Sequence, residues 1–446
     1  MKKILKWIWL AEKCGAGSTE PVALLDKLGN IGEIYLADYD ALINAGCSEH
    51  LAAKLSDKAL DRAYSVIEAC AKYGIDVIAY DDVRYPQSLT SIKDPPVVLY
   101  CKGKLPSFNK ELCISIVGTR KMSEYGMRSA YKIAYEVASS GAIVVSGMAL
   151  GIDAVAACAT IAANGRTVAV LGCGVDVTYP KQHERLRSAI LENGALISEY
   201  PPMSEPKKHH FPMRNRIISA LSQGTVVVDA NENSGSLITA KTAIMQGRDL
   251  YAVPSNIDGE NSEGTNKLIR DGAQAVLRGR DIISNYSYLF DDKVYVSKAN
   301  EAEKRSAFNP CALTSLGVKI REDSISKEGT VPRSAEKRTV HEKKAPTDRD
   351  NRTRGFEELF GNDRTVKKEN ITVNEEINRG DSSLAALESL KPVQRKVFDE
   401  MPLDRAVTVD HLMSVGFSYS EVIGSLTTLE IKGLIAALPG GLYVRK

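Results

Sequence analysis

Between Glu111 and Val253 the chain alternates short runs of β-branched residues with longer amphipathic stretches. The segments "LCISIVGT", "AIVVSG", "TVAVLGCG", "ALISEY", "TVVVDA" and "DLYAVPS" read as strands. Between them lie "SEYGMRSAYKIAYEVASSG", "LGIDAVAACATIAANG", "KQHERLRSAILENG", "MRNRIISALSQG" and "SLITAKTAIMQG", which read as helices. Gly141, Gly165, Gly194, Gly224 and Gly247 each stand where a helix is expected to stop. Continuous apolar strands alternating with amphipathic helices predict a parallel sheet covered on both faces. The fold class is therefore α/β, an extended Rossmann-like domain expected over residues 105–296.

The flanking regions follow other patterns. "STEPVALLDKLGN" and "DYDALINAGCSEHLAAKL" read as short capped helices, and "GIDVIAYDDVRYPQSL" as one strand and a turn. Residues 1–104 are expected to form a small helical, helix-hairpin-like domain with few basic residues, which favours a scaffold role. Residues 297–383 are rich in charged and small polar side chains and sparse in long apolar runs, the composition of a disordered linker. "GFEELFGN" is a candidate docking helix within it. Over residues 384–446, "LKPVQRKVFDEM", "TVDHLMSVG" and "SYSEVIGSLTTLEIKG" predict three helices. "LIAALPGGLYVRK" predicts a hairpin turning at Gly440 and Gly441, which completes a winged helix. Its seven Lys/Arg against seven Asp/Glu favour protein contact or weak DNA contact over specific duplex readout.

Bulk composition changes this picture little. Hydrophobic residues make up 43% and charged residues 26%, as in an ordinary globular protein, and the net charge of +2 identifies no partner. None of the eight cysteines stands in CxxC spacing, which argues against a zinc site and suits a reducing cytoplasm. No metal or other cofactor is expected. "MKKILKWIWLAEKCGAG" is broken by Lys6 and followed by Glu12 and Lys13, so it reads as a first helix, not a signal peptide. No stretch approaches the roughly 18 apolar residues of a membrane span.

Ligands of parallel sheets sit beyond the C-terminal ends of the strands. There the chain carries Gly118, Gly147 and Gly235, whose backbone N–H groups an anion could approach. Ser146, Ser234, Ser236 and Thr239 would add hydroxyl donors at helix starts. Tight turns and caps explain any one of these residues, but less readily a whole rim of them. A dinucleotide site fails on detail, since Gly172 and Gly174 are followed by Val177 where a third glycine is needed. Asp153 and Glu199 are the strand-end acids. Structural roles are favoured for both, with Asp153 holding a neighbouring amide and Glu199 pairing with Arg214 or Arg216.

Positive charge gathers beside this rim. From Lys181 to Arg216 there are seven Lys/Arg against four Glu. In "FPMRNRIISAL", Arg214, Asn215 and Arg216 are expected at a helix start, where cations oppose the dipole unless an anion lies between them. Phosphate contact is the favoured reading for the two arginines. Phe211 is either a stacking face for a base or a core anchor, weighted equally.

Taken in order, "IVGTR…YG", "SGMALGIDAVA", "TVAVLGCGVDVTYP", "SEYPP", "FPMRNRIISALSQGTVVVDA", "SGSLITAKTAIMQGRDLYAVP" and "EGTNKLIRDGA" resemble the bacterial DNA-processing protein A (DprA/Smf) family. The resemblance spans about Leu112 to Leu277. It implies an extended Rossmann fold that binds single-stranded DNA, usually as a homodimer, helps load the RecA recombinase during natural transformation, and catalyses nothing. It also implies DNA contacts for Arg120 and Lys181, a basic segment at Lys208, Phe211 and Arg214 to Arg216, and a phosphate-binding loop at "SGSLIT". Ala157, Asp229 and Ser255 depart from the residues usual in the family. Two other classes stay open: a nucleotide-cleaving enzyme of the phosphoribohydrolase type, whose "PGGxGT" loop is missing, and a winged-helix regulator.

Overall fold

The computed structural model describes residues 2–259, 261–320, 390, 392–402, 407–432, 434–438 and 442–445. They fall into two compact units, divided near residue 331.

The first unit is built on a nine-stranded sheet. Its strands are β1 (Asp76–Ala79), β2 (Val98–Gly103), β3 (Cys113–Val117), β4 (Ile143–Ser146), β5 (Thr167–Leu171), β6 (Ala195–Ser198), β7 (Gly224–Val227), β8 (Asp249–Ala252) and β9 (Gln274–Ala275). Their order is β1-β2-β6-β5-β4-β3-β7-β8-β9. β6 through β9 run parallel in the pairs β6–β5, β5–β4, β4–β3, β3–β7, β7–β8 and β8–β9, whereas β2 pairs antiparallel with β6 and β1 with β2. Strand order reverses at β3, which lies between β4 and β7. That reversal opens a crevice at the strand ends.

Alternate strand residues sort to opposite faces because the side-chain period of a strand is two. Ile114, Ile116, Ala169 and Leu171 join one apolar cluster, and Cys113, Val117, Val168 and Val170 join the other. Helices α8 (Glu124–Ser139) and α9 (Ile152–Ala162) supply the first cluster, with Ala130, Ile133, Val137, Val155 and Ala159 buried. Helices α11 (His210–Ala220) and α12 (Gly235–Met245) supply the second, through Ile217, Ile218, Ala220 and Ala240. The parallel sheet and its two covered faces are thus as the pattern predicts. Gly224 opens β7; α11 has already ended at Ala220.

Six helices precede the sheet: α1 (Lys2–Cys14), α2 (Glu20–Leu28), α3 (Ile31–Leu36), α4 (Tyr39–Asn44), α5 (Glu49–Ser56) and α6 (Asp61–Tyr73). Between strands lie also α7 (Gln87–Thr90), α10 (Glu184–Asn193) and α13 (Glu263–Arg270), and α14 (Gly279–Ile283) follows β9. Asn30, Asp38 and Ser48 cap α3, α4 and α5 by accepting from backbone N–H groups. Trp7, Trp9 and Leu10 of α1 are buried in the cluster that also holds Tyr100 of β2. The boundary expected at residue 104 therefore falls inside the fold, because β1 and β2 extend the same sheet.

The far boundary also moves. Residues 297–320 were expected to be linker, yet α15 (Val296–Glu303) and α16 (Pro310–Ser315) pack against the first unit. Ala299, Ala302, Leu313 and Val318 are buried, and the Phe308 ring meets Tyr131 edge-on at 5.6 Å. A handful of well-spaced apolar residues suffices here, because α8 and α9 supply a surface that average composition cannot reveal. The remainder of that linker, "GFEELFGN" and the Gly440–Gly441 turn lie outside the described residues.

In the second unit, helices Pro392–Asp399, Val409–Ser414 and Tyr419–Ile431 accompany a small sheet of Val407–Thr408, Leu442–Arg445 and Ile435–Leu438. Val397, Leu412, Val422, Leu426, Leu429 and Ile435 form its core. A reciprocal capping box between Ser418 and Glu421 starts the third helix. Among the described residues no helix is long and apolar enough to cross a membrane.

Candidate nucleic-acid interface

A cavity of about 580 Å³ opens at the β3 switch point. Its walls are the loop after β3, the loop after β7 with the start of α12, and the first turns of α11. Ten residues expected at the site line it: Gly118, Arg120, Lys208, Phe211, Arg214, Asn215, Ser234, Gly235, Ser236 and Thr239. They come from three separate segments, which the reversal of strand order brings together.

Each wall has a local cause. At Gly118 an added Cβ would lie 2.6 Å from Ile152 Cγ1, so the loop after β3 can approach α9 only as glycine. Gly151 has φ of +79°, and an added Cβ would lie 2.3 Å from the Thr119 carbonyl. Ser234 is the N-cap of α12, where its Oγ accepts from Ser236 N and lies 2.8 Å from Ser236 Oγ. That start of an 11-residue helix faces the cavity with its positive dipole end.

Phe211 is half-buried on the opposite wall. Its ring has the Arg120 guanidinium 5.3 Å from its centroid and that of Arg214 at 5.9 Å, and it tilts against Tyr179 at 5.4 Å. It is therefore a cavity-lining ring flanked by two cations, which the core-anchor reading does not describe.

Arg214 is only 4% exposed. Its Nη1 donates to the carbonyls of Gly147 (2.8 Å) and Val170, and its Nε to Asn215 Oδ1 at 3.1 Å. Asp153 lies beside it, accepting from Gly147 N at 3.1 Å. Burial pushes the Asp153 carboxyl up, opposed by the Arg214 charge and by the N–H groups of Ala149 and Gly147. Burial pulls the Arg214 guanidinium down, opposed by Asp153.

Three expected phosphate contacts are corrected. Arg216 is 5% exposed and faces away from the cavity, binding Glu199 with Nη2 (2.6 and 2.7 Å) and Asp94 with Nε (3.2 Å). Burial raises the Glu199 carboxyl, against the Arg216 charge and the Gly17 N–H. Ser146 Oγ is buried and donates to the Ile116 carbonyl at 2.8 Å. Gly147 is a steric residue, since a Cβ there would sit 2.3 Å from Arg214 Nη1. Helix α11 starts at His210, three residues before Met213, so neither arginine occupies the helix start. His210 fixes that earlier start by stacking on Tyr200, with ring centroids 3.9 Å apart, and by placing Nδ1 3.0 Å from the Gly172 carbonyl.

Lys181 is exposed on the short 3-10 turn Lys181–His183, just past Tyr179, and does not line the cavity. Tyr179, Asn231 and Asn233 do line it and were missed. Asparagines in a Gly/Ser loop could have been added from sequence. Tyr179 could not, because only the fold brings it to Phe211. Among the described residues no cluster of His, Cys, Asp or Glu is placed to hold a metal.

With this geometry in hand, comparison with known proteins is specific. A family model described as DNA recombination-mediator protein A matches residues 76–287, and one described as the DprA winged helix domain matches residues 382–441. The chain is similar to the DNA processing protein DprA of Bacillus subtilis, at 42% identity over 217 residues, 49% of this chain and 73% of that protein. It is similar to the protein of the same name from Streptococcus pneumoniae, at 40% identity over 209 residues, 46% of this chain and 73% of that protein. The X-ray structure of DprA from Streptococcus pneumoniae superposes with a TM-score of 0.56 and 34% identity, covering 63% of this chain and 97% of that one.

Proposed function

This chain belongs to the DNA-processing protein A (DprA/Smf) family, and from that premise we propose that it binds single-stranded DNA in the strand-end cavity. The observation that carries this reading is the Phe211 ring between Arg120 and Arg214, across from the start of α12. A ring for a base, cations and a helix N-terminus for phosphates are what sequence-tolerant strand binding requires. In the same reading the protein acts in the cytoplasm as a homodimer, protects incoming DNA and helps load RecA recombinase during transformation. No turnover is part of it. Asp153 holds backbone N–H groups beside Arg214, and Glu199 is paired with Arg216, so neither carboxylate is placed as a free acid or base.

Salt titrations with single-stranded and duplex oligonucleotides test this. Affinity for the single strand should fall steeply with salt and vary little with base. Arg120→Ala should lower the salt slope by about 0.7, the value for one phosphate contact on a single strand. Phe211→Ala should instead weaken binding by roughly 1–3 kcal/mol at every salt concentration. A salt-independent affinity, or duplex bound as tightly as single strand, would count against the reading.

A further inference from the structure

We propose that a second cavity, sharing Arg120 with the first, holds the next nucleotide of the same strand, so that the DNA track crosses the Lys181–His183 turn. The inference rests on the single-strand reading above and adds a subsite to it. The cavity measures about 400 Å³ and lies between the start of α8, the loop before α9 and the segment following α16. Arg120, Lys121, Lys319 and Gln182 line it, and all four are exposed. Met127, Leu150 and Val318 form an apolar wall. Cations suit a phosphodiester, and the wall suits the face of a sugar or base. Glu124 is the single acid among the lining residues, and it is engaged by Arg128 at 3.1 Å.

Continuity between the two cavities is structural. Arg120 belongs to both linings. The 3-10 turn separates them, with Tyr179 facing the first cavity and Gln182 the second. This gives Lys181, which lines neither, a place on the ridge between two phosphate sites. Lys319 is held in position because Leu313 and Val318 are buried and Gly317, at φ +84°, lies close against the Gln182 carbonyl. The segment that composition assigns to a linker thus supplies a cation to the binding surface.

The test uses the full chain and thymidine probes of one nucleotide and of about sixteen nucleotides, so that only the longer one can reach both cavities. The double variant Lys121→Ala/Lys319→Ala should bind the longer strand about tenfold more weakly, with a salt slope lower by about 1.4, that is about 0.7 for each of two contacts. Its affinity for the shorter probe should stay within about twofold of the parent, and Arg120→Ala should weaken both lengths. An unchanged affinity of the double variant for the longer strand overturns the subsite alone. Equal weakening at both lengths overturns it too, since the lysines would then act only as diffuse charge. A parent protein that binds neither probe overturns the single-strand reading together with it.

Discussion

Replacing Arg216 with alanine is expected to cost about 3–5 kcal/mol of folding stability, because it leaves Glu199 buried without its partner. The Arg216 and Glu199 side chains are 6% and 10% exposed, and Asp94 also loses its cation. Glu199 further accepts from Gly17 N, so the same change loosens the join between the N-terminal helices and α11. The effect should depend on pH. Burial already raises the Glu199 carboxyl above its ordinary 4.5, and loss of Arg216 raises it further. A raised carboxyl keeps a proton in the folded state that the unfolded chain gives up, so stability is lost as pH climbs through the folded value. The melting temperature of Arg216→Ala should therefore recover as pH falls from neutrality toward the ordinary carboxylate range, and adding Glu199→Gln should remove that dependence. DNA affinity per folded molecule, with its salt slope, should stay that of the parent. A stability loss below about 1 kcal/mol would show that the buried pair contributes little.

Arg214→Met should be comparably destabilising, by about 3–5 kcal/mol, but it should also disable the cavity. Its guanidinium is tied to the Gly147 and Val170 carbonyls and is the counter-charge of Asp153. Without it, two carbonyls lose donors and a buried carboxylate is left on the wall where phosphate is proposed to bind. Adding Asp153→Asn separates the two consequences. Stability should recover by more than half in the double variant, since the unpaired charge is gone. Binding should remain weak, because the cation beside Phe211 is still missing. Full recovery of affinity in Arg214→Met/Asp153→Asn would mean that Arg214 only neutralises Asp153. Circular dichroism melts beside fluorescence-polarisation titrations measure both.

These two arginines are two residues apart, and sequence reading treats them alike. In α11 a step of two residues turns a side chain through about 200°, so Arg214 faces the cavity and Arg216 faces the N-terminal region. The helix pattern placed both on one helix and Glu199 was a candidate partner for either, but nothing local decided between them or supplied the remaining partners. Asp94, which pairs with Arg216, and Gly17, which donates to Glu199, are more than 100 residues away in sequence, and nothing local marks them as part of this cluster. Lys319 was hidden for a similar reason: the composition of residues 297–320 is that of a linker, and only contact with α8 and α9 orders it.

What the sequence determined by itself was the sheet, its strand ends and the small and cationic residues collected there. Those properties follow from periods of two and 3.6 residues and from local turn chemistry, which are written within a few residues of one another. The winged helix and the position of Phe211 beside the strand ends were legible for the same reason. Tertiary structure alone decided which polar groups remain available at the rim. Ser146, Gly147 and Arg216 have the right chemistry and the right neighbourhood, yet their hydrogen bonds and space are taken by Ile116, Arg214 and Glu199. A buried polar group must find a partner, and the partner that claims it comes from wherever the chain folds back.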